Sequence, residues 1–127
     1  MSKILIVDDE PGVRVFLHRV VGRMGYEVLE APDGEAALEL FNEEKIALSL
    51  VDINMPKMDG LAFLEEIKKI DQHAIVIIMT GFPSADTIIK TIEDDGYTYV
   101  TKPLQVKQIE DLVERGLELA GKWQQEE

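Results

Sequence analysis

Side chains suited to phosphate or metal chemistry stand directly after the short apolar runs of this chain. Three consecutive acids follow the run at residues 4–7, and single polar residues follow the runs at 47–51, 75–79 and 98–101. A lone acid in such a place is more often a turn former or a helix cap than a functional group. The joint placement argues for function, and the residues concerned are Asp8, Asp9, Glu10, Asp52, Thr80 and Lys102.

The chemistry indicated by these residue types is magnesium-assisted phosphoryl transfer. Three carboxylates crowded at one place repel each other, and a protein that tolerates this usually holds a cation or uses shifted proton affinities. Magnesium suits such a group because it prefers oxygen ligands and is commonly held by carboxylates plus a substrate phosphate, whereas zinc-ligand spacing is absent here. One carboxylate is then free to act as a nucleophile. Lys102 supplies a second positive charge, and the Thr80 hydroxyl can donate a hydrogen bond to a phosphoryl oxygen.

The elements that must bring these residues together alternate along the whole chain. The runs at 4–7, 47–51 and 75–79 are continuously apolar, which is typical of strands in a parallel sheet covered on both faces. Shorter, more polar runs at 26–29 and 98–101 predict two further strands nearer the edges. Helical patterns lie between and after these five runs, so the sequence predicts a βα unit repeated five times.

The predicted helices have recognisable ends. Pro11 suits a first helical position, and Gly25 is placed to terminate the first helix. Asp33 and Gly34 predict a turn before the second helix. The other expectations are N-caps at Asp59 and Ser84 for the third and fourth helices and, for the fifth, an apolar stripe of Ile109, Leu112, Val113, Leu117 and Ala120.

Right-handed crossovers then predict an α/β fold, a doubly wound five-stranded parallel sheet of flavodoxin-like order 2-1-3-4-5 with five helices. Its switch point lies between strands 1 and 3, beyond whose carboxyl ends ligands bind in such folds. The chain of 127 residues suits a single domain. We expect that domain to cover residues 1–127, with residues from about 121 to 127 forming a polar tail.

Charge and composition exclude several classes of function. The 25 acidic and 13 basic residues give a net charge of −12, which would repel a phosphate backbone, so direct nucleic-acid binding is not expected. No apolar stretch approaches membrane-spanning length, and the first residues have no signal-peptide pattern. The absence of cysteine agrees with a reducing compartment. We therefore expect a cytoplasmic protein without membrane association.

Four stretches of the chain resemble the response-regulator receiver domains of two-component signalling. They are ILIVDDEP at 4–11, SLVDINMPKMDG at 49–60, IIMTGF at 77–82 and YVTKP at 99–103, and the resemblance covers essentially the whole chain. It implies a phospho-accepting domain that takes its phosphoryl group from a histidine kinase or phosphotransfer protein and acts on an output domain or downstream protein. Such a domain is not an ordinary enzyme, since it catalyses only its own phosphorylation and dephosphorylation. The sequence leaves a phosphorylation-dependent homodimer open.

The resemblance also implies a role for each residue of the site. Asp52 would accept the phosphoryl group, while Asp9 would coordinate Mg²⁺ directly and Asp8 would contribute nearby or through water. The remaining roles are the Asn54 main-chain carbonyl as a metal ligand, Thr80 and Lys102 as phosphoryl ligands, and Tyr99 as a switch aromatic acting with Thr80. The switching surface would comprise the predicted fourth helix, fifth strand and fifth helix. The Lys102-Pro103 bond is often cis in such relatives.

Three other functions share parts of this pattern. A haloacid-dehalogenase-like phosphohydrolase also uses an aspartyl nucleophile and magnesium, but its nucleophile normally lies on the first strand with a second Asp two residues later. Here Asp52 follows the third strand, and position 54 is Asn. A flavin carrier would need a Ser/Thr/Gly-rich loop after strand 1, where this chain has acids. A pseudo-receiver that only binds partners is disfavoured by the complete set of site residues.

Overall fold

The computed structural model describes residues 2–53, 55, 60–81 and 98–126, and within these ranges it forms one parallel sheet with four helices. The predicted fourth helix and the proposed caps Asp59 and Ser84 lie outside the described residues. In chain order the elements are β1 (Lys3–Val7), α1 (Pro11–Arg23), β2 (Glu27–Ala31), α2 (Gly34–Glu43), β3 (Leu48–Asp52), α3 (Gly60–Ile70), β4 (Val76–Thr80), β5 (Tyr99–Thr101) and α4 (Val106–Glu126).

The strand order is β2-β1-β3-β4-β5, and all neighbouring pairs are parallel. This confirms the predicted order 2-1-3-4-5 and places β2 and β5 at the edges. Val7 of β1 lies beside both Ala31 of β2 and Val51 of β3, while Asp52 lies beside Met79 of β4. The carboxyl ends of the three central strands are therefore level, with the change of winding direction between β1 and β3.

Apolar side chains cover both faces of the sheet. Leu5 and Val7 of β1 belong to one core cluster together with residues of α2 and α3, and the alternate residues Ile4 and Ile6 belong to the other, with residues of α1 and α4. A strand that is buried on both faces has no polar side to present to water, which explains why the central runs do not alternate. The helices contribute Ala37, Phe41, Phe63 and Ile67 on the first face and Leu17, Val21, Ile109 and Val113 on the second.

Several strands end later than their apolar runs predict. The second strand was expected at 26–29 but extends from Glu27 to Ala31, because the Ala31 carbonyl still accepts a hydrogen bond from the Asp8 N–H at 3.2 Å. Asp52 and Thr80 are the last residues of β3 and β4 rather than the residues after them. Their main chains pair with Met79 and with Thr101. Sheet hydrogen bonding therefore fixes the backbone of both residues.

The helix ends follow the sequence in one case and correct it in another. Pro11 opens α1, and the chain leaves that helix through Gly25, whose φ of 96° lies in the left-handed region that favours glycine. The turn expected at Asp33 and Gly34 is instead the start of α2. The Asp33 carboxylate accepts the Ala36 N–H at 2.8 Å and caps the helix, and Gly34 is its first residue.

The C-terminal helix α4 continues to Glu126, so most of the stretch expected as a polar tail has a helical backbone. Its predicted stripe is confirmed, since Ile109 and Val113 are buried and Leu112, Leu117 and Ala120 pack beside them. Over the part of the chain that the structure describes, none of the helices combines the length and the apolar character needed to cross a membrane.

Candidate functional site

The predicted site residues meet at the carboxyl edge of the sheet. Asp8 follows β1, Asp52 ends β3, Thr80 ends β4, and Lys102 follows β5. Asp8 is 0% exposed, and Asp52 and Thr80 are each 3% exposed, although all three are polar. Burial of polar groups is costly unless partners compensate, so the partners of these residues decide what their burial costs. Asp9, in contrast, is exposed.

Lys102 joins the first and third strands. Its ammonium Nζ lies 3.2 Å from Oδ2 of Asp8 and 3.3 Å from Oδ2 of Asp52. The main chain that carries it is anchored as well, because the Lys102 N–H donates to the Thr80 carbonyl oxygen at 2.7 Å. The Lys102-Pro103 peptide bond is cis, as is often the case in the family that the sequence resembles. The two nearly inaccessible carboxylates therefore share one ammonium group.

The electrostatics of this cluster leave it with an excess of negative charge. Burial raises the pKa of Asp8 above its ordinary value, even though the hydrogen bond from the Glu10 N–H and the attraction of Lys102 oppose that rise. Burial alone would lower the pKa of Lys102, but the attraction of Asp8 and Asp52 outweighs it and raises that pKa. One ammonium thus faces two carboxylates, and the site favours the approach of a further cation.

The loop after β1 presents a group of carboxylates that fits a hard divalent cation. Ligand oxygens from Asp8, Asp9 and Glu10 lie within 4.8 Å of one another. The loop is ordered by its own contacts, since the Glu10 N–H donates to Asp8 Oδ1 at 2.9 Å. Carboxylate oxygens near one another, with the Lys102 ammonium beside them, are suitable for Mg²⁺ and unsuitable for a metal that needs nitrogen or sulfur ligands.

Two other residues that were predicted for the site, Tyr99 and Asn54, are not part of the cluster around Lys102 that the structure describes. Tyr99 lies in the edge strand β5, half-buried, with its main chain beside Ile78. Its side chain packs against the core cluster that includes residues of α2 and α3. Asn54, whose carbonyl was expected to bind metal, lies outside the described residues.

The sequence pattern missed a group of charged residues beside the site. The Arg14 guanidinium donates to the Asp8 main-chain carbonyl oxygen at 2.6 Å and lies 3.5 Å from the Glu30 carboxylate. The other oxygen of that carboxylate lies 2.8 Å from Nδ1 of His18. Arg14 and His18 are four residues apart, which places both side chains on the same face of α1. That spacing was the one feature of the sequence that could have indicated a shared acidic partner. The sequence did not indicate that Glu30 of β2 would be that partner.

Comparison with known proteins gives the family. The family model described as response regulator receiver domain matches residues 4–114. The chain is 38% identical over 118 residues to sporulation initiation phosphotransferase F of Bacillus subtilis. The aligned residues cover 93% of this chain and 95% of that protein. It is 34% identical over 119 residues to regulatory protein AtoC of Escherichia coli, covering 94% of this chain but only 26% of that protein.

The fold agrees with solved structures of the same class. Response regulator protein TrrA from Thermotoga maritima, in complex with Mg²⁺ and BeF, is similar with a TM-score of 0.83 and 32% sequence identity. The similarity covers 92% of this chain and 100% of that one. The chain belongs to the response regulator receiver domain family and is a phospho-accepting signalling domain of two-component systems. These findings do not favour the phosphohydrolase or pseudo-receiver alternatives.

Proposed function

We propose that Asp52 accepts a phosphoryl group from a histidine kinase or a phosphotransfer protein. The single observation that carries this proposal is the position of the Lys102 ammonium between the buried carboxylates of Asp8 and Asp52. A carboxylate oxygen of Asp52 forms the new bond to phosphorus as the P–N bond to the donor imidazole breaks. The electron pair of that bond stays on the imidazole nitrogen, and the Lys102 ammonium neutralises charge on the phosphoryl oxygens.

The acidic loop and Asp52 are the proposed binding site for Mg²⁺. The ligands would be Asp9, Asp52 and the Asn54 main-chain carbonyl, with Asp8 acting nearby or through water. The excess of carboxylate over ammonium groups in the described part of the site supports this assignment. Mg²⁺, when bound, supplies positive charge that offsets the phosphoryl oxygens and the carboxylates.

The proposed signal is a change at the edge of the sheet next to Thr80. Thr80 and Lys102 would bind phosphoryl oxygens, and Tyr99 would move with Thr80 as the switch aromatic. A partner would bind the surface formed by a helix that begins after Ser84, by β5 and by α4. This additional helix would bring the number of helices in the fold to five. Residues 87–92 include five β-branched residues in six, each less favourable in a helix than alanine by roughly half a kcal/mol, so packing must hold that helix together.

Amide exchange tests this switching surface. We expect residues 82–96 to exchange faster than α1 and to change protection when the protein is phosphorylated or binds beryllofluoride. Equal protection in both segments, unchanged by either treatment, would contradict the switch while leaving the phosphorylation chemistry untouched.

The proposed unit is one domain over residues 1–127, acting in the cytoplasm. It would catalyse only its own phosphorylation and dephosphorylation and pass the signal to an output domain or a downstream protein, without direct nucleic-acid binding. A homodimer that forms on phosphorylation is the proposed assembly to look for first. Because the chain covers only 26% of AtoC, the activity of that whole protein does not transfer to this one.

The direct test is the mass of the intact protein after incubation with acetyl phosphate and Mg²⁺. We expect one phosphoryl group, removable by hydroxylamine because it is an acyl phosphate, and no gain when EDTA replaces Mg²⁺. Asp52→Asn should abolish the gain, and Asp111→Asn, at an exposed position of α4, should not. The same gain in Asp52→Asn as in the wild type would show that Asp52 is not the acceptor.

A further inference from the structure

Arg14 reaches from helix α1 back to the acidic loop and binds its main chain. Its Nη1 donates to the carbonyl oxygen of Asp8 at 2.6 Å, and its side chain is only 19% exposed. A hydrogen bond from a charged donor to a partly buried carbonyl is among the stronger kinds in proteins. Among the described residues, Arg14 makes no hydrogen bond or ion pair with the two carboxylates that Lys102 contacts.

The guanidinium is itself held on its other side. Nε of Arg14 lies 3.5 Å from Oε1 of Glu30, and Oε2 of Glu30 lies 2.8 Å from Nδ1 of His18. Glu30 belongs to the edge strand β2, whose neighbouring residue Ala31 accepts the Asp8 N–H at 3.2 Å. The two hydrogen bonds of the Asp8 main chain therefore both lead to the same end of β2, one directly and one through Arg14.

The carbonyl of Asp8 and the nitrogen of Asp9 belong to one planar peptide group. A donor that fixes the orientation of this carbonyl therefore also fixes the orientation of the peptide plane that contains the Asp9 nitrogen and Cα. Asp9 is exposed and lies two residues beyond the end of β1, so its own side chain has little packing to orient it. The orientation of this peptide is then the main local constraint on where the Asp9 carboxylate can lie.

We propose that Arg14, supported by Glu30, is a positioning residue that sets the Asp8–Asp9 peptide so that the Asp9 carboxylate can bind Mg²⁺. The proposal rests on the proposed function, because that function makes Asp9 a direct metal ligand. Residues that orient metal ligands without touching the metal usually change affinity by about 10-fold to 100-fold when they are removed.

The sign of the effect separates positioning from simple charge. Arg14 is a cation close to a group of carboxylates, so removing it makes the local potential more negative and by itself would tighten the binding of Mg²⁺. Loss of positioning has the opposite effect, since the Asp9 carboxylate would then have to be ordered on binding. Weaker binding in a variant without the guanidinium can therefore not come from its charge.

The experiment compares Arg14→Met with Arg19→Met. Methionine keeps much of the aliphatic stem, and Arg19 is an exposed cation of the same helix, so the control removes the same charge. Mg²⁺ alone is titrated by calorimetry, and the Asp9 amide is followed by NMR in the metal-free protein, with thermal unfolding as a check on folding. We expect Arg14→Met to raise the Kd for Mg²⁺ about 10-fold, to shift the Asp9 amide and to lower its order parameter. Arg19→Met should leave all three close to wild type.

Two results would overturn the proposal. One is a Kd in Arg14→Met that equals or falls below that of Arg19→Met, and the other is an Asp9 amide that is unchanged in the metal-free variant. A wild-type protein that binds no Mg²⁺ would instead refute the proposed metal site. The Asp9 amide would still decide in that case whether Arg14 orders the loop.

Discussion

Replacement of Asp8 by asparagine should make the metal-free protein more stable. Asp8 is fully buried, and burial is the largest cause of its raised pKa, so the folded protein holds the ionised carboxylate at a cost. Asparagine has nearly the same shape, and its side-chain oxygen can still accept the Glu10 N–H that now lies 2.9 Å from Asp8 Oδ1. The amide NH2 would then take the position of Asp8 Oδ2, where it cannot accept from the Lys102 ammonium, so Lys102 would lose one partner but keep Asp52, at 3.3 Å.

The size of the gain follows from two opposing contributions. Removing one of two buried carboxylates abolishes its desolvation cost, which is several kcal/mol, and its repulsion of Asp52. The loss is one of the two attractions at a lysine side chain that is 22% exposed, where solvent weakens each attraction. Replacement of a whole buried ion pair by neutral residues ranges from no effect to a gain of about 4 kcal/mol, whereas removal of one partner is costly when the other charge is left uncompensated. Asp8→Asn does not leave Lys102 in that state, because Asp52 remains its partner. We expect about 1 to 2 kcal/mol for Asp8→Asn, or a rise in Tm of roughly 4 to 8 °C.

Urea unfolding in EDTA at neutral pH measures this difference. The matched control is Asp9→Asn, because Asp9 is the exposed neighbour and its replacement should change the free energy of unfolding by less than about 0.5 kcal/mol. An Asp8→Asn protein that is equally stable or less stable than wild type would refute the reasoning. It would mean that the pair with Lys102 outweighs the cost of burying the carboxylate.

The same argument gives a pH dependence with a definite sign. Since the pKa of Asp8 is raised in the folded protein, the folded state keeps its proton to higher pH than the unfolded chain does. The cost of ionising Asp8 is therefore absent below its unfolded pKa of about 3.9 and fully present above its folded pKa. The extra free energy of unfolding of Asp8→Asn over wild type should be full at neutral pH. It should decrease as the pH falls from the folded pKa of Asp8 to its unfolded pKa, and be absent below that. An advantage that is constant across the range would not come from this carboxylate.

Three further predictions concern stability. Lys102→Met should lower the free energy of unfolding in EDTA by about 3 kcal/mol, the lower end of the range for breaking a buried pair, because it leaves two buried carboxylates without an ammonium that is itself 22% exposed; an unchanged urea midpoint would contradict this. Ser49→Ala should cost nothing and gain up to about 1 kcal/mol, since the buried Ser49 hydroxyl has no hydrogen-bond partner among the described residues. A loss of stability in Ser49→Ala would contradict this and would indicate a hydrogen-bond partner for the hydroxyl. Mg²⁺ at about 100 times its Kd should add roughly 2.7 kcal/mol in thermal unfolding. Asp9→Ala should lose most of that gain, and an equal gain would exclude Asp9 as a ligand.

The central strands could be predicted because their burial is complete. Residues 4–7 of β1 and all residues of β3 and β4 are buried, so their runs are continuous and each run leads directly to a polar residue of the site. The second strand was misplaced by up to two residues because β2 lies at the edge of the sheet and its pattern mixes exposed and buried residues. Where hydrogen bonding continues a strand beyond its apolar run, as at Asp52, the sequence places the end of the strand one residue early.

The acidic and lysine members of the site could be predicted because parallel strands bring their carboxyl ends to one edge. The distance from Lys102 to both Asp8 and Asp52 depends on the strand order, and the sequence indicated that order correctly. The contact of Arg14 with Glu30 could not be predicted in this way. It joins a helix to an edge strand through exposed or half-buried side chains, and no periodicity in either element marks it.

The phosphorylated position can be located directly by chemistry at the acyl phosphate. Protein treated with acetyl phosphate and Mg²⁺ is reduced with borohydride, which converts a phosphorylated aspartate into a distinct residue, and the digested peptides are then sequenced by mass spectrometry. We predict that the reduced residue is at position 52, that EDTA abolishes it, and that Asp8 and Asp9 remain unmodified. Reduction at Asp8 or Asp9, or at any position other than 52, would contradict the account.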